Sequence, residues 1–131
     1  PSTSNFVSQI STISEVREKI VEIQRGMGFT KGIVMEGRDI GSVVFPSAEA
    51  KFFITADLNI RAERRFNELK INNNYITIKS VLENLKKRDF LDKNRKNSPL
   101  IKVKDAILID NSNLNIDDQV LLIINYLKKK L

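Results

Sequence analysis

The sequence contains neither cysteine nor histidine among its 131 residues. The lack of cysteine excludes disulfide bonds, thiol nucleophiles and cysteine-based metal sites in this chain. The lack of histidine removes the commonest general base and the commonest metal ligand. Any catalysis here must therefore rely on positioning and electrostatics supplied by carboxylates, arginine and lysine. Phosphoryl transfer is chemistry of this kind, because its transition state needs charge stabilisation more than covalent participation by the protein.

The sequence also lacks an apolar run approaching the roughly twenty residues that a membrane span needs, and no signal peptide is visible. Its net charge of +6 raises the hypothesis of a basic nucleic-acid-binding domain. Much of the excess is lysine at positions typical of solvated surface, including the tail 128–130. The phenylalanines and tyrosines fall mostly in apolar stripes instead of alternating with basic residues as stacking platforms, which weighs against that hypothesis.

Strand and helix patterns alternate along the chain. Short apolar runs at 33–35, 51–55 and 106–110 predict buried strands. Apolar residues at steps of three and four predict helices over about 6–27, from Asp57 to about residue 71, from about residue 77, and after Asn115. This alternation predicts an α/β fold with a parallel sheet flanked by helices.

Arg38 and Asp39 follow the first predicted strand, beside Gly37. In parallel sheets ligands bind outside the carboxyl ends of the strands. A guanidinium and a carboxylate side by side at such an end can hold a phosphate and the edge of a base. The alternative is a solvated ion pair with no further role.

The predicted helix after residue 77 changes character along one face. Ile78, Val81 and Leu85 form an apolar stripe, and the same spacing then reaches Arg88, Asp92 and Arg95. These charges either form salt bridges within the helix or face an inward polar partner, since burying unpaired charge is costly. A nucleotide phosphate and ribose would be such a partner.

Other arginines lie beside predicted apolar stripes. Arg17 is either a residue whose stem packs along the core or a ligand-binding residue. Arg61, Arg64 and Arg65 lie on the flank of the helix that Asp57 precedes, where arginines usually form pairs within the helix or face water.

Several of these segments together resemble the bacterial cytidylate kinases, enzymes that phosphorylate CMP and dCMP from ATP. The resemblance is carried by Glu36-Gly-Arg-Asp-Ile-Gly41 with Val43-Val-Phe-Pro46. It continues through Ser8-Gln9, Val16-Arg-Glu18, Arg61 to Arg65, Arg88-Asp89, Asp92, Asn94-Arg95 and Pro99-Leu100, and so covers the whole chain.

The resemblance implies a nucleoside monophosphate kinase of the P-loop type and a role for each matching residue. The implied CMP-binding residues are Ser8, Arg17, Arg38, Asp39, Arg88, Asp92 and Arg95. The implied ATP-binding lid, around 61–76, uses Arg61, Arg64 and Arg65, and the implied catalytic residues are Arg38, Arg61, Arg65 and Arg95. Mg²⁺ would arrive with ATP, without metal ligands from this chain. Since Ser8 and Arg17 are nine residues apart, a helix carrying both to one base must break between them.

One departure from the family limits what the resemblance implies. The chain has no G-x-x-x-x-G-K-[ST] phosphate loop, and the strand that carries this loop in the family lies at the centre of the sheet. We therefore expect residues 1–131 to be the C-terminal part of one kinase domain, inactive or nearly so alone. The resemblance further implies a cytoplasmic enzyme, monomeric at full length, that binds neither membrane nor nucleic acid. A kinase of another pyrimidine monophosphate, such as UMP, remains an alternative.

Overall fold

The computed structural model describes residues 10, 13–30, 32–71 and 75–130. The chain forms two compact units. The first consists of Pro1–Ala48 and Arg88–Lys104, and the second of Glu49–Lys87 and Asp105–Leu131. Each unit is therefore built from two stretches that are distant in sequence. No helix among the described residues is both long and apolar enough to cross a bilayer.

The first unit contains helix α1, Ser14–Met27, and a single π-helical turn, Ile40–Val44. Gly28 follows α1 and donates its amide to the carbonyl of Arg25 at 3.2 Å, which confirms the helix end predicted at about residue 27. The ring of Phe45 packs directly on Gly28, where a Cβ would lie 2.5 Å from the ring. This contact joins the end of α1 to the end of the π-helical turn.

The predicted strand at 33–35 is wrong. The segment has no regular structure, and the side chain of Val34 is completely exposed. A buried strand needs hydrogen-bonded neighbours, and the two strands that do pair among the described residues pair with each other. The apolar pattern at 33–35 is therefore present without the partners that would make it a strand.

The face of α1 that packs within its unit also differs from the expected one. The apolar stripe is largely exposed at Ile20, Ile23 and Met27, whereas Val21 is buried. Arg17 lies one turn before Val21 on that buried side. The helix thus turns a polar face towards its own unit, because the groups it meets there are polar. Phe6, which begins the predicted stripe, lies outside the described residues.

The second unit contains the parallel sheet. Strands β1, Phe52–Thr55, and β2, Ile107–Asp110, pair in register from Phe52 opposite Ile107 to Thr55 opposite Asp110. Both were predicted, each one residue longer at its start, but as buried strands, whereas Ile54 and Leu108 are about half exposed. The α/β class with a parallel pair of strands is therefore confirmed.

Side-chain caps fix the helices of the second unit. Helix α2, Leu58–Lys70, begins after Asp57, whose Oδ1 accepts from the amide of Asn59 at 2.7 Å. Helix α4, Ile116–Lys130, begins after Asn115, whose Oδ1 accepts from the amide of Asp118 at 2.8 Å. Both starts match the prediction, because a short polar side chain can satisfy the otherwise unbonded first amides of a helix. The buried apolar side chains of this unit are Ala62, Val81, Ala106 and Ile109.

Helix α3, Ile78–Asn94, contributes residues to both units. Val81 is buried in the second unit, as its place in the predicted stripe requires. The same face then brings Asp92 into the buried part of the first unit. The predicted change from an apolar to a charged face is thus seen at Val81 and Asp92, whereas Ile78, the first residue of the predicted stripe, is 47% exposed.

A buried lysine leads into the sheet. Lys51 directly precedes β1 and donates to Asp105 through Nζ and Oδ2 at 2.6 Å. Replacing Asp105 by Asn should lower the free energy of unfolding at neutral pH, because the replacement removes the negative charge that faces the buried ammonium. Urea denaturation of the two proteins measures the difference.

The same variant tests the pH dependence of that pair. The hydrogen bond from Lys51 lowers the pKa of Asp105 in the folded state. A lowered folded pKa means that the stabilisation is present above the usual aspartate pKa, about 3.9, and is lost as the pH falls through the folded value. The difference between wild type and Asp105→Asn should therefore be constant near neutral pH and shrink in acid. A difference that grew in acid would contradict this account.

Candidate functional site

The π-helical turn after Asp39 builds one wall of the site. The carbonyl oxygen of Asp39 accepts from the amides of Ser42, Val43 and Val44, at 3.3, 2.8 and 3.3 Å. This turn keeps the side chain of Asp39 inside its unit, where the residue is 4% exposed. An aspartate buried to that degree requires charged or hydrogen-bonding partners.

Helix α1 provides the first of those partners. Nη2 of Arg17 donates to Oδ2 of Asp39. The Arg17 side chain is itself mostly buried, so the pair lies in an environment that strengthens its attraction. The alternative in which Arg17 only packs its stem along the core does not describe this geometry.

The end of α3 and the residue after it provide the remaining groups. Asp92 Oδ2 accepts from Nε of Arg38 at 2.8 Å. Arg95 places Nη1 at 3.9 Å from Asp92 Oδ1 and Nη2 at 4.0 Å from Asp39 Oδ1. Its Nε donates to the carbonyl of Ser98, a residue in the left-handed region with φ of 55°. The guanidinium of Arg95 therefore lies between the two carboxylates.

These five residues form what we call the guanidinium–carboxylate cluster: Arg17, Arg38, Asp39, Asp92 and Arg95. Three guanidinium groups face two carboxylates, so the cluster keeps a positive charge. Burial lowers the pKa of Arg95, an effect that the neighbouring Asp39 carboxylate opposes and Arg17 reinforces. Arginine nevertheless remains charged at any physiological pH. An anion placed here would thus be attracted and would relieve the repulsion between the guanidinium groups.

Three buried arginine nitrogens in this unit have no hydrogen-bond partner among the described residues. They are Nε of Arg17, Nε of Arg88 and Nη2 of Arg95. Arg88 lies four residues before Asp92 on α3, which places the two on the same side of the helix. Buried donors of a charged group are costly to leave unbonded. These donors are available to the acceptor oxygens of a ligand.

A groove of about 590 Å³ lies between α1 and residues 96–98. Arg17, a member of the cluster, lines this groove, and Val43 of the π-helical turn lines it as well. The volume is within the range of small-molecule sites. A nucleotide-sized ligand could therefore reach the cluster from this side.

The structure brings together five of the seven predicted CMP-binding residues in one cluster and places a sixth, Arg88, in the same unit. Ser8 lies outside the described residues, and so does the helix break predicted between Ser8 and Arg17. Neither salt bridges confined to α3 nor a solvated pair at Arg38 and Asp39 accounts for the arrangement, since Asp39 and Asp92 each face side chains from other segments.

The predicted lid arginines belong to the second unit. Arg64 donates through Nη2 to the carbonyls of Asn111 at 2.9 Å and Ser112 at 3.3 Å, in the loop after β2. Arg65 pairs with Glu68 on the same helix, and Nε of Arg61 donates to the carbonyl of Ala56 at 3.0 Å. Their role towards ATP stays a prediction.

The sequence interpretation missed one polar residue beside the cluster. Arg25 donates to the carbonyls of Val43 and Val44, at 2.7 and 3.2 Å. A signal was present, because Arg17, Val21 and Arg25 recur every four residues and so lie close to one face of α1. The apolar stripe on the neighbouring face is the stronger pattern and masks this polar one.

No group of three or more acidic residues that could hold a metal ion occurs in the part of the chain that the structure describes. Asp39 and Asp92 instead face guanidinium groups. The described residues therefore do not fit a metal-binding role.

Comparison with known proteins bears on the same residues. A family model described as "Cytidylate kinase" matches residues 2–129. A cytidylate kinase of Flavobacterium psychrophilum is 51% identical over 122 residues, covering 93% of this chain and 54% of the relative. One from Bacteroides thetaiotaomicron is 53% identical over 116 residues, covering 88% and 51%. One from Clostridium botulinum is 46% identical over 129 residues, covering 98% and 59%. The chain thus spans about half the length of the curated relatives it matches.

Proposed function

This chain belongs to the cytidylate kinase family, and from that premise we propose that its protein transfers the γ-phosphoryl group of ATP to CMP or dCMP, giving CDP or dCDP. In this proposal the chain provides the CMP site and the lid. The observation that carries it is the buried, positively charged cluster in which arginine donors have no acceptor among the described residues.

The phosphate of CMP lies between Arg38 and Arg95. Nη2 of Arg95 is buried and 4.0 Å from the nearest Asp39 oxygen, too far for a hydrogen bond, so its hydrogens are available to a phosphate oxygen. Arg38 is about half exposed and bonds Asp92 through Nε, which leaves its two terminal nitrogens for phosphate oxygens. Planar guanidinium groups match phosphate geometry better than lysine does.

The rest of the nucleotide extends along the same cluster. Arg88 and Asp92, one turn apart on α3, bind the sugar, with the free Nε of Arg88 as a donor. Asp39 and Arg17 read the cytosine ring together with Ser8. In their mutual pair Asp39 accepts from Arg17, so each is held in place while keeping further polar atoms for the base.

The reaction needs no histidine base, because the attacking group is an oxygen of an already charged phosphate. The chain's part is to hold that oxygen in line and to stabilise charge on the transferring phosphoryl group. Arg61, Arg64 and Arg65 would close over the γ-phosphate. Mg²⁺ accompanies ATP as part of the co-substrate, and the described residues provide no ligand cluster for it.

The wider architecture is part of the proposal. The two parallel strands would belong to the sheet of a P-loop nucleoside monophosphate kinase that forms one domain with the rest of the protein. The glycine-rich phosphate loop, absent from this sequence, would lie outside residues 1–131. A cytoplasmic monomer is the expected state of the complete enzyme.

The test is ligand binding and turnover by the full-length protein. CMP at one hundred times its dissociation constant should stabilise the folded state by about 2.7 kcal/mol, and the purified protein should convert CMP and ATP into CDP and ADP. Differential scanning fluorimetry and separation of the nucleotides by chromatography provide the two readouts. AMP serves as the matched control, since it carries the same phosphate on a purine.

Other outcomes would replace the proposal. If UMP were phosphorylated as efficiently as CMP, the specificity assigned to Asp39 and Arg17 would be wrong. If a random oligonucleotide stabilised the protein and CMP did not, the basic nucleic-acid-binding hypothesis would take its place. The burial of Arg17 and Arg95 argues against that outcome, because contacts to a nucleic-acid backbone come from exposed basic side chains.

A further inference from the structure

Arg25 attaches the π-helical turn to helix α1. Its Nη2 donates to the carbonyl of Val43 at 2.7 Å, and its Nε donates to the carbonyl of Val44 at 3.2 Å. Val43 and Val44 are the last two residues of the turn, where carbonyl groups have no partner further along. One guanidinium therefore bonds both of the last carbonyl groups of the turn that follows Asp39.

We propose that Arg25 is a positioning residue for CMP recognition, because it holds the turn that fixes Asp39 against Arg17. The proposal rests on the function proposed above. Arg25 also lines the groove beside α1, but its Nε and Nη2 donate to backbone carbonyls, so its role in this account is to hold the turn. It acts through the backbone of residues 39–44 on the carboxylate that reads the base.

The turn depends on such a contact because it is a single π-helical turn of five residues, Ile40–Val44. Three amides converge on the single carbonyl of Asp39, and the amide of Phe45 bonds the carbonyl of Ile40 at 2.7 Å. π-Helical turns are rare and differ from α-helical ones by a single residue. Relaxation to an ordinary turn would rotate Asp39, which starts it, away from its place opposite Arg17.

The same helix face carries both contacts. Arg17 bonds the Asp39 side chain, and Arg25, two turns later on α1, bonds the backbone that leads away from Asp39. Helix α1 therefore fixes Asp39 through two contacts, one to its side chain and one to the backbone that follows it. Loss of the backbone contact should weaken recognition of the base more than binding of the phosphate, which Arg38 and Arg95 hold.

The experiment is steady-state kinetics of the full-length protein with Arg25→Ala. The Michaelis constant for CMP should rise about tenfold, a change typical of losing one hydrogen bond from a charged group, and the preference for CMP over UMP should fall. The values of kcat and of the Michaelis constant for ATP should stay within about twofold, since the phosphoryl-transfer groups are untouched.

Two further variants separate positioning from stability. Arg25→Lys keeps the charge but has one ammonium instead of a fork, so it should give an intermediate Michaelis constant and restore part of the base preference. Lys19→Ala, which removes an exposed pair with Glu22 on the same helix, should behave as wild type. Should Arg25→Ala not fold, Arg25→Lys provides the same test.

Failure of this inference is distinguishable from failure of the proposed function. If wild type phosphorylates CMP and both Arg25 variants lose only thermal stability, with unchanged Michaelis constant and base preference, then Arg25 is structural and the inference is wrong. If wild type neither binds nor phosphorylates CMP, the proposed function itself fails.

Discussion

Replacing Arg95 by Met in the full-length protein should lower kcat/KM for CMP by about a thousandfold, the scale found when one preorganised charge stabiliser is removed. Methionine fills a similar volume but has no donor. Arg95 is the member of the cluster that faces both carboxylates, and its buried Nη2 has no hydrogen-bond partner in the part of the chain that the structure describes. Its replacement therefore removes the group closest to the middle of the proposed phosphate site.

The measurement is steady-state phosphorylation of CMP, with unfolding followed separately. Folding should survive, because Arg17 with Asp39 and Arg38 with Asp92 remain as two matched ion pairs after the substitution. Arg95→Lys tests geometry, since it keeps the charge without the planar fork, and should recover only part of the activity. Lys93→Met, at an exposed position on α3, is the matched control. Activity within twofold of wild type in Arg95→Met would exclude the phosphate from this cluster.

Replacing Asp39 by Ala should have the largest effect on stability, about 3 kcal/mol, as expected when one partner of a buried ion pair is removed. Arg17 would lose its carboxylate, and Arg95 would lose one of the two that face it. Two buried guanidinium groups would then repel each other with less compensation. Urea denaturation of the full-length protein measures the loss.

An added anion separates this explanation from a simple packing defect. Sulfate should restore part of the stability of Asp39→Ala and should have a smaller effect on wild type, because it can bind between the guanidinium groups that the carboxylate no longer separates. Asp39→Asn, which keeps an acceptor without the charge, should fall between the two. Glu63→Ala, at an exposed position on α2, is the control. A variant as stable as wild type would show that the pair contributes nothing.

Local chemistry made the second unit predictable. The caps at Asp57 and Asn115 and the strands at 52–55 and 107–110 follow from residues within a few positions of each other. The inward direction of Asp92 followed in the same way, since a helix keeps one face at steps of three and four. By contrast, a strand is completed only by its neighbours, and none pairs with 33–35 among the described residues. The apolar residues at 33–35 therefore could not indicate that the segment has no strand partner among the described residues.

The convergence of the site could not be derived from local pattern. Arg38 and Asp92 are 54 positions apart, and Arg17 and Asp39 are 22 apart. Only the resemblance to the cytidylate kinases predicted that these residues share one site. The contribution of Arg25 was missed because its partners are backbone carbonyls, and these can accept from a guanidinium whatever side chain they carry. Contacts to backbone carbonyls therefore cannot be predicted from the residue types of the accepting segment.

The contact between Gly28 and Phe45 limits how this unit can move. The ring fills the space that a side chain at position 28 would need, with two ring atoms 2.5 and 2.6 Å from the site of a Cβ. Helix α1 therefore cannot slide along its own axis without pushing the aromatic ring, and with it the end of the π-helical turn. Any motion that admits a nucleotide must therefore move the end of α1 and the end of the π-helical turn together.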